Sequence, residues 1–165
     1  IMAFAVTHIL IVIVLLDLFR HYVFGKRKFP RYLLVVGGIA GLAPDVDIPL
    51  GWIYNLFTDT AVNLHGNFTH SIIFPLIFLI VAGILHYQDN MKWAKIFYVI
   101  AVGLFIHLLL DCMFGGYTTF LWPLSINTGF CPQWGLQGYA QSIDAIILVV
   151  WLVHEEIHNR IRDYI

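Results

Sequence analysis

The chain has 165 residues, of which 60% are hydrophobic and only 12% charged, and its mean hydropathy is +0.82. Soluble domains typically contain about 45–50% apolar and roughly 25% charged residues, so a water-soluble globule and a disordered chain are both excluded. The net charge of −1 supplies no general attraction to nucleic acid.

Five apolar runs along the chain predict an all-α, polytopic membrane helical bundle that forms a single domain over residues 1–165. The runs are residues 1–16, 32–43, 72–85, 96–110 and 145–153. With their uncharged flanks, the first, third and fourth runs approach the roughly 20 residues that a membrane-spanning helix requires. The fifth reaches this length if its helix begins near Gly138. Four full spans are therefore expected.

The second run is predicted to differ because it ends at Pro44. The residue before a proline is disfavoured in α-helical geometry, so we expect a short, partial-depth helix followed by irregular backbone. Such backbone is tolerated at membrane depth only where protein covers it or where it lines a polar cavity. The complete prediction is about four full spans plus one short partial-depth helix.

The basic residues predict the orientation of the bundle. All nine lysines and arginines lie between the first and second runs, between the third and fourth, or after the fifth. Alternating spans place these three groups on one side of the membrane, which the positive-inside rule identifies as the cytoplasm. We therefore expect a multi-pass protein of the inner (cytoplasmic) membrane whose segments 44–70 and 111–143 face outward.

Six of the titratable residues in the predicted spans fall at a similar depth. Counting about 1.5 Å per residue from the inner boundary of each helix puts all six roughly 17–24 Å above that boundary. The hydrocarbon core is about 30 Å thick, so they share a layer toward the outer side. They are His8, Asp45, His70, His107, Asp111 and Asp144. Such groups are costly in a membrane and usually functional, so the layer predicts a site.

Two pairs of residues, one a histidine with an aspartate and the other two aspartates, make this prediction more specific. His107 and Asp111 are four residues apart, so both project from the same face of one helix. Asp45 and Asp47 lie between two prolines, where nonhelical backbone could aim two carboxylates at neighbouring ions. Taken singly, Asp45 or Asp47 could instead cap a turn.

The predicted ligand set also includes histidines where the outer segment returns to the membrane. Histidine nitrogens and carboxylate oxygens together suit a divalent metal, with Zn²⁺ favoured and Mn²⁺ as the alternative, and one to three ions are expected. The predicted ligands are His8, Asp45, Asp47, His65, His70, His107 and Asp111. A lone histidine of this kind more often bonds a neighbouring helix, but the shared depth favours a metal site.

Two further polar features lie outside the predicted ligand set. Cys112 and Cys131 both fall on the outward side, where a disulfide is open to them, but two cysteines define no framework and simple packing of Cys112 is favoured. At the opposite, basic end, Asp17 is expected to pair with Arg20 or Arg31.

Short motifs that contain the predicted ligands follow one another from residue 7 to residue 123. They are Thr7-His8, Pro44-Asp45-Val46-Asp47, His65 with Thr69-His70-Ser71, and His107-Leu108-Leu109-Leu110-Asp111 with Leu121-Trp122-Pro123. In this order they resemble the predicted membrane-bound metal-dependent hydrolases, the group that includes the LexA-regulated inner-membrane hydrolase of bacteria. Two positions depart from that group: Gly66 replaces its usual Arg, and Phe114 replaces a common Thr.

The resemblance implies a distant similarity to zinc-dependent phospholipase C and the S1/P1-type nucleases, which are helical phosphodiesterases with a His/Asp zinc cluster. It implies that His107 and Asp111 are ligands of one ion. It also implies that Asp45 or Asp47 binds that ion and acts on the attacking water. It further implies that Asp111 could bridge two ions and that His65 or His70, together with His8, completes the two ion positions.

The expected function is therefore hydrolysis of a phosphoester in a lipid or lipid-linked substrate by a membrane-embedded, metal-dependent enzyme, with Asp45 and Asp47 as catalytic residues. Membrane lipids are the expected partners, and nucleic acid is not. Three alternatives remain: a cation transporter or channel, a haem-binding redox protein with His8, His70 or His107 as axial ligands, and a non-catalytic membrane protein that binds metal.

Overall fold

The computed structural model describes residues 5–58, 65–66, 68–114, 120–124, 131 and 136–159, and every regular element within them is helical. The α-helices are α1 (Ala5–Phe19), α2 (Tyr32–Leu42), α3 (Asp47–Thr58), α4 (Ile73–Tyr87), α5 (Met91–Phe114) and α6 (Ala140–Asn159). A π-helical turn, Arg20–Phe24, extends α1. The 3₁₀ turns Ala43–Val46, Phe68–His70 and Leu136–Tyr139 precede α3, α4 and α6.

The apolar helices confirm the prediction of an all-α membrane bundle. Three helical segments of the described chain are long and apolar enough to cross a bilayer: Ala5–Phe24, Tyr32–Thr58 and Met91–Phe114. Helix α4 is apolar but has only 15 residues, fewer than the roughly 20 residues of the full span that was expected there. Helix α6 has 20 residues and begins within two residues of the expected start, and its ends carry acidic side chains.

The second apolar run does not end in irregular backbone, so that part of the prediction was wrong. Helix α2, the 3₁₀ turn Ala43–Val46 and α3 form one helical segment of 27 residues. Pro44 and Pro49 fit within it because each lies in the first turn of a new helical element. The backbone N–H groups of a first turn have no intrahelical partner, so proline loses no hydrogen bond there.

Small residues bring α1, α2 and α5 close together and so position the site. Helix α5 packs against α2 and α4, and α1 packs against α2 and α6. A Cβ atom at Gly103 of α5 would lie 2.8 Å from the Gly37 carbonyl oxygen on α2. A Cβ atom at Gly41 would lie 3.0 Å from the His8 carbonyl oxygen on α1. Glycine at these crossings therefore permits backbone contacts that a side chain would prevent.

An apolar core separates the two polar ends of the bundle. Its buried members are Val12, Leu16, Phe29, Leu33 and Val99. On the basic side of this core, the Arg20 guanidinium donates to Asp17 over 3.3 Å, which confirms the predicted pairing. The basic residues after α6 lie outside the described residues. The site described next occupies the other side of the core.

Candidate metal centre

The structure brings all seven predicted ligands together at one end of the bundle. Helix α1 contributes His8, and α5 contributes His107 and Asp111 one turn apart. The remaining four come from the turns around α3 and before α4, and they are Asp45, Asp47, His65 and His70. Three overlapping groups have ligand atoms that all lie within 4.8 Å of one another. The groups are His8–His107–Asp111, Asp45–His70–His107 and Asp47–His65–His70.

The ring of His107 has a defined tautomer. Its Nδ1 lies 2.7 Å from the carbonyl oxygen of Gly41, and a carbonyl only accepts, so Nδ1 carries the proton. In the neutral ring, Nε2 is then an unprotonated acceptor, and it lies 3.2 Å from Asp111 Oδ2 and 3.7 Å from Asp45 Oδ1. A metal-binding histidine typically makes this kind of bond through its second nitrogen.

The ring of His70 has a similar arrangement. Its Nδ1 lies 3.0 Å from the Thr69 hydroxyl and 3.3 Å from Asp47 Oδ2. The hydroxyl donates to Asp47 over 2.8 Å, so the oxygen of Thr69 is left to accept from His70 Nδ1. In the neutral ring, Nε2 of His70 is therefore also an acceptor.

These two acceptor nitrogens face each other across 3.4 Å. Nε2 of His70 is also 3.6 Å from Asp45 Oδ1 and 3.6 Å from Asp111 Oδ2. Two imidazole lone pairs and two carboxylates converge on one small buried volume. Such a group of acceptors repels itself unless a proton or a cation lies among them, because unpaired charge is costly in a buried site.

His8 and Asp111 supply the strongest sign that the residues fit a metal ion. The rings of His8 and His107 stack with centroids 3.9 Å apart, and His8 Nε2 lies 3.3 Å from Asp111 Oδ1. His8 is fully buried and Asp111 nearly so, yet neither nitrogen of His8 and neither oxygen of Asp111 makes a hydrogen bond. Buried polar atoms are almost always satisfied, so Nε2 of His8 and the carboxylate of Asp111 fit a cation that binds between them.

Asp47 contacts the segment that carries the two loop histidines. Its Oδ1 lies 2.6 Å from His65 Nδ1, and its Oδ2 accepts from the backbone N–H of Gly66 over 3.3 Å as well as from Thr69. Both oxygens are thus bonded to residues 65–70. Gly66, at the position where the resembled group usually has Arg, has φ +82°, a backbone conformation that favours glycine.

The cluster is most exposed beside α3. The side chains of His8, His70, His107 and Asp111 are 0–1% exposed, whereas Asp45 is 16% and His65 is 15% exposed. The accessible side of the cluster therefore adjoins the 3₁₀ turn Ala43–Val46 and the start of α3.

The sequence alone did not identify several supporting groups. The Gly41 carbonyl belongs to the backbone and leaves no signal in the sequence. Thr69, which bonds to Asp47, directly precedes His70 and so lies within the Thr69-His70-Ser71 motif. Asp144 shares the predicted depth, but it belongs to none of the three ligand groups at this end of the bundle. Its Oδ2 accepts from the hydroxyl of Thr7, next to His8, over 2.9 Å.

Cys112 and Cys131 form a disulfide, so the prediction that Cys112 simply packs was wrong. The bond joins α5, one residue after Asp111, to a position 19 residues later in the chain. Phe114, the second departure from the resembled group, is buried near the start of α6 with Leu110 and Ala140. It therefore serves the helix packing behind the cluster.

Comparison with known proteins places the chain in a family. The model of the YdjM inner membrane protein family matches residues 2–160, nearly the whole sequence. No curated protein and no solved structure matches the chain significantly. Because the match covers both the apolar helices and every motif of the cluster, the chain belongs to the YdjM inner membrane protein family.

Proposed function

We propose that this protein is a membrane-embedded, metal-dependent hydrolase. The observation that carries the proposal is the convergence of His70 Nε2, His107 Nε2 and two carboxylates in a buried cluster whose His8 and Asp111 have unsatisfied atoms. Titratable groups buried in membrane helices are usually functional because their burial is costly. The resemblance to metal-dependent hydrolases, found from the motifs, agrees with this geometry.

Zn²⁺ is the favoured ion, with Mn²⁺ as the alternative, because the ligand set combines histidine nitrogens with carboxylate oxygens. The Nε2 of His107 is near both Asp111 and Asp45, but one nitrogen binds one ion. If two ions bind, Asp111 is the ligand best placed to be shared, because its Oδ1 faces His8 and its Oδ2 faces His70 and His107.

The two catalytic candidates have different surroundings. Both oxygens of Asp47 are bonded to the segment that carries His65 and His70, so Asp47 fits the role of a carboxylate that orients ligands. Asp45 is the most exposed of the seven side chains and lies next to His70 and His107. Asp45 is therefore the better candidate to accept a proton from the attacking water.

A bound ion in this cluster would polarise a phosphoryl oxygen and lower the pKa of a bound water to about 7. The surrounding residues would hold and orient that ion, exclude bulk water and take up the proton. A phosphoester fits this chemistry. The place of the cluster in an apolar bundle favours a lipid or a lipid-linked substrate.

The proposed orientation places the cluster toward the outer side of the membrane. The basic residues at the opposite end support this orientation through the positive-inside rule. The disulfide next to Asp111 also supports it, because disulfides persist outside the reducing cytoplasm.

Metal analysis of the purified protein tests the proposal. We expect at least one zinc or manganese per chain and hydrolysis of bis(p-nitrophenyl) phosphate that a chelator abolishes. His107→Ala and Asp111→Asn should lose both metal and activity. His86→Gln, in a histidine that contacts Tyr98 far from the cluster, should retain both. Protein without stoichiometric metal, or variants of the cluster that keep it, would refute the assignment.

A cation transporter is the second candidate function, because a layer of polar residues could form part of a path for ions. Such a protein needs polar groups that continue across the membrane. In the described helices, the apolar core of Val12, Leu16, Leu33 and Val99 separates the cluster from Asp17, whose carboxylate is bonded to Arg20 and Trp151. This arrangement favours a closed site over a conducting path.

A further inference from the structure

Helix α3 begins in the site at Asp47 and then extends away from the protein. Asp47 is bonded to the segment that carries His65 and His70, and the other main contact of α3 within the described part of the chain is with the 3₁₀ turn Ala43–Val46 that precedes it. Most of its large side chains are exposed, including Leu56 at 81% and Phe57 at 84%. The exposed large residues are Leu50, Trp52, Ile53, Tyr54, Leu56 and Phe57. Apart from Asp47, α3 contains no charged residue.

The apolar surface of α3 is too wide for one packed interface. At about 100° per residue, the exposed side chains from Trp52 through Ile53 to Tyr54 cover about 200° of the helix circumference. A helix that packs on one neighbour typically buries a stripe little more than about 100° wide. A solvent that surrounds the helix accounts for this distribution better than a protein partner on one face.

The surface of α3 is continuous with the lipid-facing surface of α2. Val35 and Ile39 on α2, Val46 in the turn and Leu50 on α3 are all exposed along one helical segment. That segment of 27 residues is about 40 Å long, whereas the hydrocarbon core measures about 30 Å. It must therefore tilt or bend at the 3₁₀ turn if its apolar end is to remain in the bilayer.

We propose that α3 is an arm embedded in the membrane and that its partner is bilayer lipid. The arm starts beside Asp45 and His65, the most exposed side chains of the cluster. The accessible side of the site therefore adjoins lipid, so a substrate carried by the membrane reaches it laterally. The embedding of α3 does not depend on metal binding or on hydrolysis.

Nitroxide labels at single cysteines test the proposal in proteoliposomes. The disulfide joins both native cysteines, so an introduced cysteine is the free thiol that a label reaches. Leu56→Cys and Phe57→Cys report on α3 at positions about 100° apart. Ile39→Cys on α2 is the reference for a lipid-facing site, and Tyr87→Cys, at the exposed end of α4, is the reference for water.

Collision of each label with oxygen, which enters lipid, is compared with collision with a polar nickel chelate, which does not. We expect both α3 labels to match Ile39→Cys and to exceed the oxygen-to-nickel ratio of Tyr87→Cys by about tenfold, a partitioning difference of about 1.4 kcal/mol. Nickel access equal to that at Tyr87→Cys would place α3 in water and overturn the proposal. Protection of either label from both reagents would indicate a protein partner, such as a second copy, and would also overturn it.

Discussion

Zinc is expected to stabilise the purified protein, and the size of the effect follows from the buried polar atoms of the cluster that have no hydrogen-bond partner. The four unbonded atoms are two nitrogens of His8 and two oxygens of Asp111. Each such atom costs about 1–3 kcal/mol when buried. An ion that binds at least one atom of each residue therefore relieves about 2–6 kcal/mol. For a protein of this length, about 2–4 °C per kcal/mol gives a rise in Tm of roughly 4–24 °C.

Tryptophan fluorescence during heating measures this rise in protein that has first been treated with a chelator and then titrated with zinc. The free energy of stabilisation behind this rise should grow with the logarithm of free zinc, by about 1.4 kcal/mol per tenfold increase above the Kd. Asp111→Asn should abolish it, whereas His86→Gln should preserve it. A Tm that zinc does not change, or a rise that persists in Asp111→Asn, would show that these atoms do not bind the ion.

Three further predictions concern the surroundings of the cluster. Asp47→Asn should weaken zinc affinity about 10–100-fold while the ion still binds, because this carboxylate orients the rings of the predicted ligands. Competition with a chromogenic chelator measures the affinity, and an unchanged affinity would contradict the orienting role of Asp47. Gly103→Ala should lower the free energy of unfolding by about 1–3 kcal/mol, because the added methyl group would meet helix α2. The control Gly83→Ala places its methyl group in open space and should raise the free energy of unfolding by up to about 1 kcal/mol. Equal thermal stability of these two variants would argue against the close crossing. Finally, maleimide should modify Cys112 and Cys131 only after reduction; mass spectrometry detects the adducts, and modification before reduction would contradict the disulfide.

The sequence predicted the bundle and the membership of the cluster because both depend on regular spacing. Apolar runs of helical length identify membrane helices. Counting residues from the basic end placed His8 and His107 at one depth, although 99 positions separate them in the chain. The four-residue interval between His107 and Asp111 then fixed a shared face.

The path of the chain at Pro44 was not predictable from the same rules. A proline ends a helix when it removes a hydrogen bond within it, but it begins one without loss. Whether Pro44 ends α2 or starts a new turn depends on the packing of that turn against α5 and the loop before α4. Packing over such distances leaves no local pattern in the sequence.

The disulfide and the orientation of the histidine rings depend on tertiary contacts in the same way. Cys131 reaches Cys112 through a loop whose path two cysteines do not specify. The proton on His107 Nδ1 is fixed by a backbone carbonyl 66 residues away. Residue types therefore identified the members of the cluster, but only the fold showed which nitrogen of His107 faces the carboxylates.

Gly41 links the chemistry of the cluster to the spacing of the helices. Its carbonyl orients His107, and its missing side chain lets the backbone of His8 approach α2. A methyl group at this position would push α1 outward while every ligand kept its identity. The separation of the His8 and His107 rings therefore depends on α2, so under the proposed function substitutions at helix crossings would alter or abolish ion binding even where all the predicted ligands are intact.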